Sequence, residues 1–195
     1  MNYLAHILLS GTNTDIQIGN FMGDAIKGKD YLNYPDAIRK GILLHRQIDS
    51  FTDFNTIVHQ SKKRLHPRYG HYAGVLIDVF YDYFLSENWQ HFSNIPLTTF
   101  ITDFYTVIQQ KQAILPKRTQ RIVPFMIEQN WLYKYGNIEG LTRVLIGMEK
   151  RIKHDIPLHL GIEDIQEHHE ALNADFMQFF PLLVVHSKEV LSKLE

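Results

Sequence analysis

The chain is 195 residues long, 45% apolar, carries a net charge of -1 with histidine neutral, and contains no cysteine. That length suits one domain, residues 1–195, with a single continuous core, and the near-neutral charge gives no argument for a nucleic-acid partner. The missing thiols exclude disulfides, a thiolate nucleophile and a cysteine zinc site, so any metal must be held by nitrogen and oxygen.

The opening stretch, "MNYLAHILLSGTNTD", has no basic start, and a histidine interrupts its short apolar run. It does not read as a signal peptide. No window approaches the roughly 20 apolar residues of a membrane span, so the expectation is a soluble cytoplasmic protein. In "DIQIGNFMGDAIKG", the apolar residues Ile16, Ile18, Phe21, Met22 and Ile26 recur at mixed helical steps. This predicts a helix capped by Thr14 or Asp15 and ended by Gly28. "PDAIRKGILLHRQIDSFTDF" opens on Pro35, a good first-turn residue, and predicts a long helix. "NTIVHQSKKRLHP" predicts a shorter amphipathic helix stopped by Pro67.

"HYAGVLIDVFYDYFLSENWQHF" is the most apolar long segment and predicts a central, buried helix. "PLTTFITDFYTVIQQKQAIL" predicts another, with Thr98 or Thr99 as cap. "RTQRIVPFMIEQNWLYKYG" should kink or break near Pro124, whereas Pro181 should bend the last helix without ending it. "NIEGLTRVLIGMEKRIKHD" completes the set. No alternating strand pattern or hairpin signal occurs, so the fold class is all-α, with about seven or eight helices.

Three features carry possible chemistry. His45 and Asp49 are four residues apart on the long helix, which puts both side chains on one face. Asp78 and Asp82 repeat that spacing in the most apolar helix, where a carboxylate needs a partner or a cation. Asp24 follows Gly19 and Gly23, two glycines that leave a groove for another backbone. A solvated helix face also accounts for any one of these taken alone. Two carboxylates at this spacing repel, and a bound dication reverses the sign. Carboxylates with one imidazole favour Mn2+ or Mg2+ over a closed zinc site, and such an ion lowers the pKa of a coordinated water and neutralises phosphate oxygens.

The remaining histidines read otherwise. His168 and His169 are adjacent and point to different sides of a helix; His59, His66 and His71 read as surface residues. His154-Asp155 reads as a favourable charge at a helix C-terminus. Lys62, Lys63, Arg64 and Arg68 cluster, as do the cations of "KRTQR" and "EKRIK". These are solvated faces or a landing patch for an acidic partner.

The segments "MNYLAH", "GNFMGD", "HRQIDSFTD", "DVFYDYFLSENW", "WLYKYGNIEGLTRVLIGMEKR" and "LNADFMQFFPLL", in this order, span almost the whole chain. In them the chain resembles the acyl carrier protein phosphodiesterases, or acyl carrier protein hydrolases. The resemblance implies a helical, divergent branch of the HD-type metal-dependent phosphohydrolases, with Mn2+ as the expected cofactor. It implies hydrolysis of the phosphodiester joining 4'-phosphopantetheine to a serine of holo acyl carrier protein, a small acidic helical partner. The adjacent His-Asp pair usual in HD enzymes is not at the expected place; His45 and Asp49 stand three residues further apart instead.

Motif and resemblance together set Asp24, His45, Asp49, Asp78 and Asp82 around the metal. His6 is a further ligand or the general acid for the leaving serine oxygen. Arg46 is the candidate for a phosphate oxygen, and Lys62, Lys63, Arg64 and Arg68 are candidates for docking the carrier protein. Asp53 is expected to cap or brace the next segment and not to touch the metal. The alternatives are an HD-like phosphohydrolase of nucleotides or other small phosphate esters, and a non-enzymatic helical module.

Overall fold

A computed structural model describes residues 1–152 and 156–194. Among the described residues there are eleven α-helices and no strand, more helices than the seven or eight expected. Three are seven residues or shorter, and these short pieces carry too little periodicity to be read from sequence.

The first of them is α1, Tyr3–Leu9, which holds the opening apolar run. Its cap comes from far along the chain. Asp82 accepts from the backbone N–H groups of Leu4 at 2.8 Å and Ala5 at 3.2 Å, satisfying two donors that a helix start leaves free. Next comes α2, Thr14–Phe21, capped by Asn13, one residue before the expected caps. It stops at Met22 and passes into a single tight turn, Gly23–Ala25, well short of Gly28.

The long helix α3, Asp36–Phe54, follows Pro35 as expected, and α4, Thr56–Tyr69, is capped by Asn55. Contrary to expectation, α4 runs through Pro67 and ends at Gly70, whose φ of 51° only glycine takes easily. The central helix α5 spans Ala73–Glu87. Helix α6, Leu97–Gln110, starts after Pro96 with no side-chain cap, so Thr98 and Thr99 fall inside it. Helix α7, Lys117–Glu128, absorbs Pro124; the break comes at Asn130, in the left-handed region at φ 49°, before the single turn α8, Trp131–Lys134. Helix α9, Ile138–Glu149, is capped by Asn137, α10 spans Gly161–Glu167, and α11, His169–Lys193, continues through Pro181.

Pro67, Pro124 and Pro181 all lie on exposed helix positions. A proline there removes one intrahelical hydrogen bond but leaves the freed carbonyl near water, which can replace the bond. His154 and Asp155 lie outside the described residues. His59, His66 and His71 are exposed, as expected.

One hydrophobic core runs from α1 to α11. Its centre is aromatic: Tyr81 and Phe84 of α5 meet Phe176 of α11 at ring separations of 5.5 and 6.2 Å. The most extensive helix contact is α2 against α3, and glycine makes it possible. A Cβ on Gly19 would lie 2.1 Å from the Ile38 carbonyl oxygen, and one on Gly41 would lie 2.2 Å from that of Ile16. The groove expected beside Gly19 and Gly23 is therefore occupied, by α3 itself. No helix among the described residues is long and apolar enough to cross a membrane.

Candidate metal centre

Three elements meet at one point. Helix α1 brings His6, α3 brings His45 and Asp49, and the turn after α2 brings Asp24. Gly23 lets the ring of His45 in, because a Cβ there would stand 2.3 Å from its Cγ. The His6 and His45 rings stack with centroids 4.1 Å apart and planes 20° from parallel. Both imidazoles are nearly fully buried, at 3% and 5% exposure.

Hydrogen bonds decide which nitrogen of each ring is free. His45 Nδ1 lies 2.8 Å from the backbone oxygen of Asn20, which can only accept, so Nδ1 carries a proton. His6 Nδ1 lies 2.8 Å from Asn20 Oδ1. The Asn20 amide is itself oriented: its Nδ2 donates to the His6 carbonyl oxygen at 2.8 Å and to Ser10 Oγ at 2.9 Å. Ser10 gives its own proton to the same carbonyl at 2.8 Å, so it must accept from Asn20. His6 Nδ1 is therefore also a donor, and one residue, Asn20, fixes both rings with Nε2 turned to the centre.

There the two Nε2 atoms meet only acceptors. His45 Nε2 is 3.1 Å from Asp49 Oδ2 and 3.2 Å from Asp24 Oδ1, and His6 Nε2 is 3.3 Å from Asp49 Oδ1. His6 Nε2 is buried and has no hydrogen-bond partner. Lone pairs and carboxylates gathered this way need positive charge between them, either a proton or a cation. Ligand atoms of His6, His45 and Asp49 lie within 4.8 Å of one another, close enough to share one ion. Two tautomer-fixed imidazoles and a carboxylate with open positions suit a catalytic divalent ion, and each imidazole already has the outer hydrogen bond such ligands use.

The same charges set the titration of the centre. Burial pulls His45 down, but the Asp24 and Asp49 carboxylates overcome it and push it up to about 9. His6 is lowered by its burial and by neighbouring His45. Asp49 resists its own burial and is held below the usual carboxylate range by the two imidazoles; Asp24 is lowered chiefly by its bond to His45.

The other predicted residues stand elsewhere. Asp78 accepts from the amino group of Met1 at 2.8 Å, and fully buried Asp82 caps α1, so neither is in the His6–His45–Asp49 cluster. Burial pushes Asp82 up to about 7 against the pull of its backbone donors. Arg46 donates to the carbonyl oxygens of Gly28 at 2.8 Å and Ile26 at 3.2 Å and lies over the Tyr31 ring, pinning the segment after Asp24. In the basic cluster, Lys62 pairs with Asp53 at 3.0 Å, Arg64 pairs with Asp175, and Arg68 pairs with Asp164 at 2.9 Å. Lys63 has no ion pair among the described residues. Asp53 thus braces α4, as expected.

Sequence reasoning missed Asn20, although it sits inside the quoted "GNFMGD". An asparagine among the apolar residues Ile16, Ile18, Phe21 and Met22 of a helix was the available signal; the structure buries it completely.

The acyl carrier protein phosphodiesterase family model matches residues 1–183. The protein named acyl carrier protein phosphodiesterase from Enterobacter sp. (strain 638) is 30% identical over 189 residues, covering 96% of this chain and 98% of its own. That of Klebsiella pneumoniae (strain 342) is 31% identical over 188 residues, covering 94% and 96%. That of Photorhabdus laumondii subsp. laumondii is 30% identical over 185 residues, covering 94% and 93%. No solved structure gives a significant match. With matches that run nearly end to end and a family model covering both histidines and both aspartates of the centre, the chain belongs to the acyl carrier protein phosphodiesterase family.

Proposed function

We propose that the chain hydrolyses the phosphodiester between 4'-phosphopantetheine and a serine of holo acyl carrier protein, with Mn2+ held by His6, His45 and Asp49. The observation that carries this reading is the pair of buried Nε2 atoms, fixed by Asn20, that face Asp49 with no donor between them. Family membership supplies the substrate. A dication bound there neutralises phosphate oxygens and lowers the pKa of a coordinated water.

The chain's own groups do the rest. Asn20 holds one proton on each Nδ1, so neither imidazole needs to reorient when its Nε2 is used. His6 then serves as a ligand, not as the general acid, because burial lowers its proton affinity and its Nδ1 proton is committed to Asn20. Asp24, whose side chain is 79% exposed, stands at the open side of the centre and is placed to orient an attacking water. Water oxygen bonds to phosphorus, the bond from phosphorus to the serine oxygen breaks, and that oxygen takes up a proton. The products are the apo carrier protein and 4'-phosphopantetheine. Lys63, exposed and unpaired among the described residues, remains the member of its cluster free to meet the acidic partner.

The test is mass spectrometry of holo acyl carrier protein incubated with the protein and Mn2+. Loss of the phosphopantetheine mass is expected, and Asp49→Ala is expected to abolish it with helix content retained. Hydrolysis of a nucleotide with no change in the carrier protein overturns the assignment.

A further inference from the structure

We propose that the cleft walled by α5, α7, α8 and α9 seats the 4'-phosphopantetheine arm, its phosphate at the Asp24 end and its pantetheine along one stripe of α9. This rests on the phosphodiesterase reading above and says where the substrate lies.

The cleft has a volume of about 600 Å³, within the range that encloses a small organic ligand. It shares Asp24 with the metal centre, so a group bound there reaches the reacting phosphorus without crossing the core. Its α9 wall is a single face of the helix: Gly140, Arg143, Val144, Gly147 and Met148 follow steps of three and four, and Arg151 continues the line. Val75 and Val79 of α5 stand among the apolar lining. A slot lined by polar and apolar groups in like measure, with Lys134, Arg143 and Arg151 as cations and Asp24 and Asp78 as carboxylates, matches an arm of methylene, methyl, hydroxyl and amide groups with one phosphate.

The polarity of the slot follows from Tyr3. Tyr3, Asp24 and Arg151 line the same cleft, and the Tyr3 hydroxyl feels both the Asp24 carboxylate and the Arg151 guanidinium, so that cation stands toward the Asp24 end. Arg151 has no ion pair among the described residues, so it is available to a phosphate. Gly147 gives the second argument. Glycine inside a helix is destabilising relative to alanine, and here neither packing nor backbone demands it: its φ is not positive, and an added Cβ would meet nothing within 4 Å. Gly140 differs, since its Cβ would stand 2.3 Å from the Lys134 carbonyl oxygen. The consequence of Gly147 is open space in the cleft.

The experiment is titration calorimetry of the Mn2+-loaded protein with 4'-phosphopantetheine and, separately, with inorganic phosphate. The wild-type protein is expected to bind 4'-phosphopantetheine at least tenfold more tightly than phosphate. Gly147→Phe, which fills the slot, is expected to remove that margin while its affinity for phosphate stays as in wild type. Should Gly147→Phe not fold, Val75→Trp fills the slot from the opposite wall and carries the same expectation. Equal affinity of the filled variant and wild type for 4'-phosphopantetheine overturns the proposal, as does a wild type with no preference over phosphate. A protein that shows the preference but leaves holo carrier protein intact refutes the reaction and not the cleft. One that hydrolyses holo carrier protein as fast with the slot filled refutes the cleft and not the reaction.

Discussion

Asn20→Leu separates the device that orients the two imidazoles from the proposed ligands themselves. Leucine keeps the branched shape, at a larger volume, and removes three side-chain hydrogen bonds, to His6 Nδ1, to the His6 carbonyl oxygen and to Ser10 Oγ. Two of these losses are covered, because Ser10 still donates to the His6 carbonyl. The uncovered one is the buried Nδ1–H of His6, and an orphaned donor of that kind costs about 1–3 kcal/mol. Loss of an outer hydrogen bond to a ligating histidine weakens metal affinity about 10- to 100-fold. At a free Mn2+ concentration of about 100 times the wild-type Kd, the ion stabilises the wild type by about 2.7 kcal/mol. The same concentration stabilises the variant by about 1.4 kcal/mol for a tenfold loss and about 0.4 kcal/mol for a hundredfold loss. For a chain of this size each kcal/mol moves the melting temperature by about 2–4 °C. Thermal melts followed by circular dichroism, with and without Mn2+, should therefore show a lower apo melting temperature and a shrunken Mn2+ shift. An unchanged Mn2+ shift in Asn20→Leu refutes the argument that Asn20 fixes the tautomers for a metal.

Two further outcomes follow from the same geometry. Gly19→Ala forces a Cβ into the Ile38 carbonyl oxygen and parts α2 from α3, so urea unfolding should show a loss of about 1–3 kcal/mol despite the better helix propensity of alanine; equal stability would mean the two helices are not in that contact. In metal-free protein His45 has a folded pKa of about 9, above its unfolded value of about 6.5, so its contribution to stability is fully present below about pH 6.5 and is lost as pH rises through 9. Unfolding in chelator between pH 6 and 10 should show this decline in wild type and a flatter profile in His45→Gln.

What could be read from the sequence divides by the range of the interactions that decide it. Helix α3 announces itself by periodicity, and α9 by its own neighbours, with Asn137 capping it from the adjacent position. The groove beside Gly19 and Gly23 was legible because a missing Cβ is a steric fact whatever fills the space. Helix α1 was not legible, since its cap is the carboxylate of Asp82, 78 residues away. The aspartates of α5 were read as needing partners, and they have them; in the fold these are the N–H groups of α1 and the amino group of Met1. Composition cannot choose between a cation and a helix start as partner for a buried carboxylate, since both supply positive charge. Pro67 misled for a local reason: on the exposed side of a final turn, one lost hydrogen bond is too small to end a helix.

The tie between Asp82 and α1 has a consequence for the order of assembly. Seven residues are too few to hold a helix in water unaided. His6 can take up its place only after the middle of the chain has folded back onto the beginning. On the ribosome, the first histidine of the centre is made early and waits, without a partner, until α5 has emerged. The candidate centre therefore cannot be complete before α5 is made. An ion held by His6, His45 and Asp49 would clasp α1 to α3, a second tie on a helix whose start Asp78 and Asp82 already hold against α5.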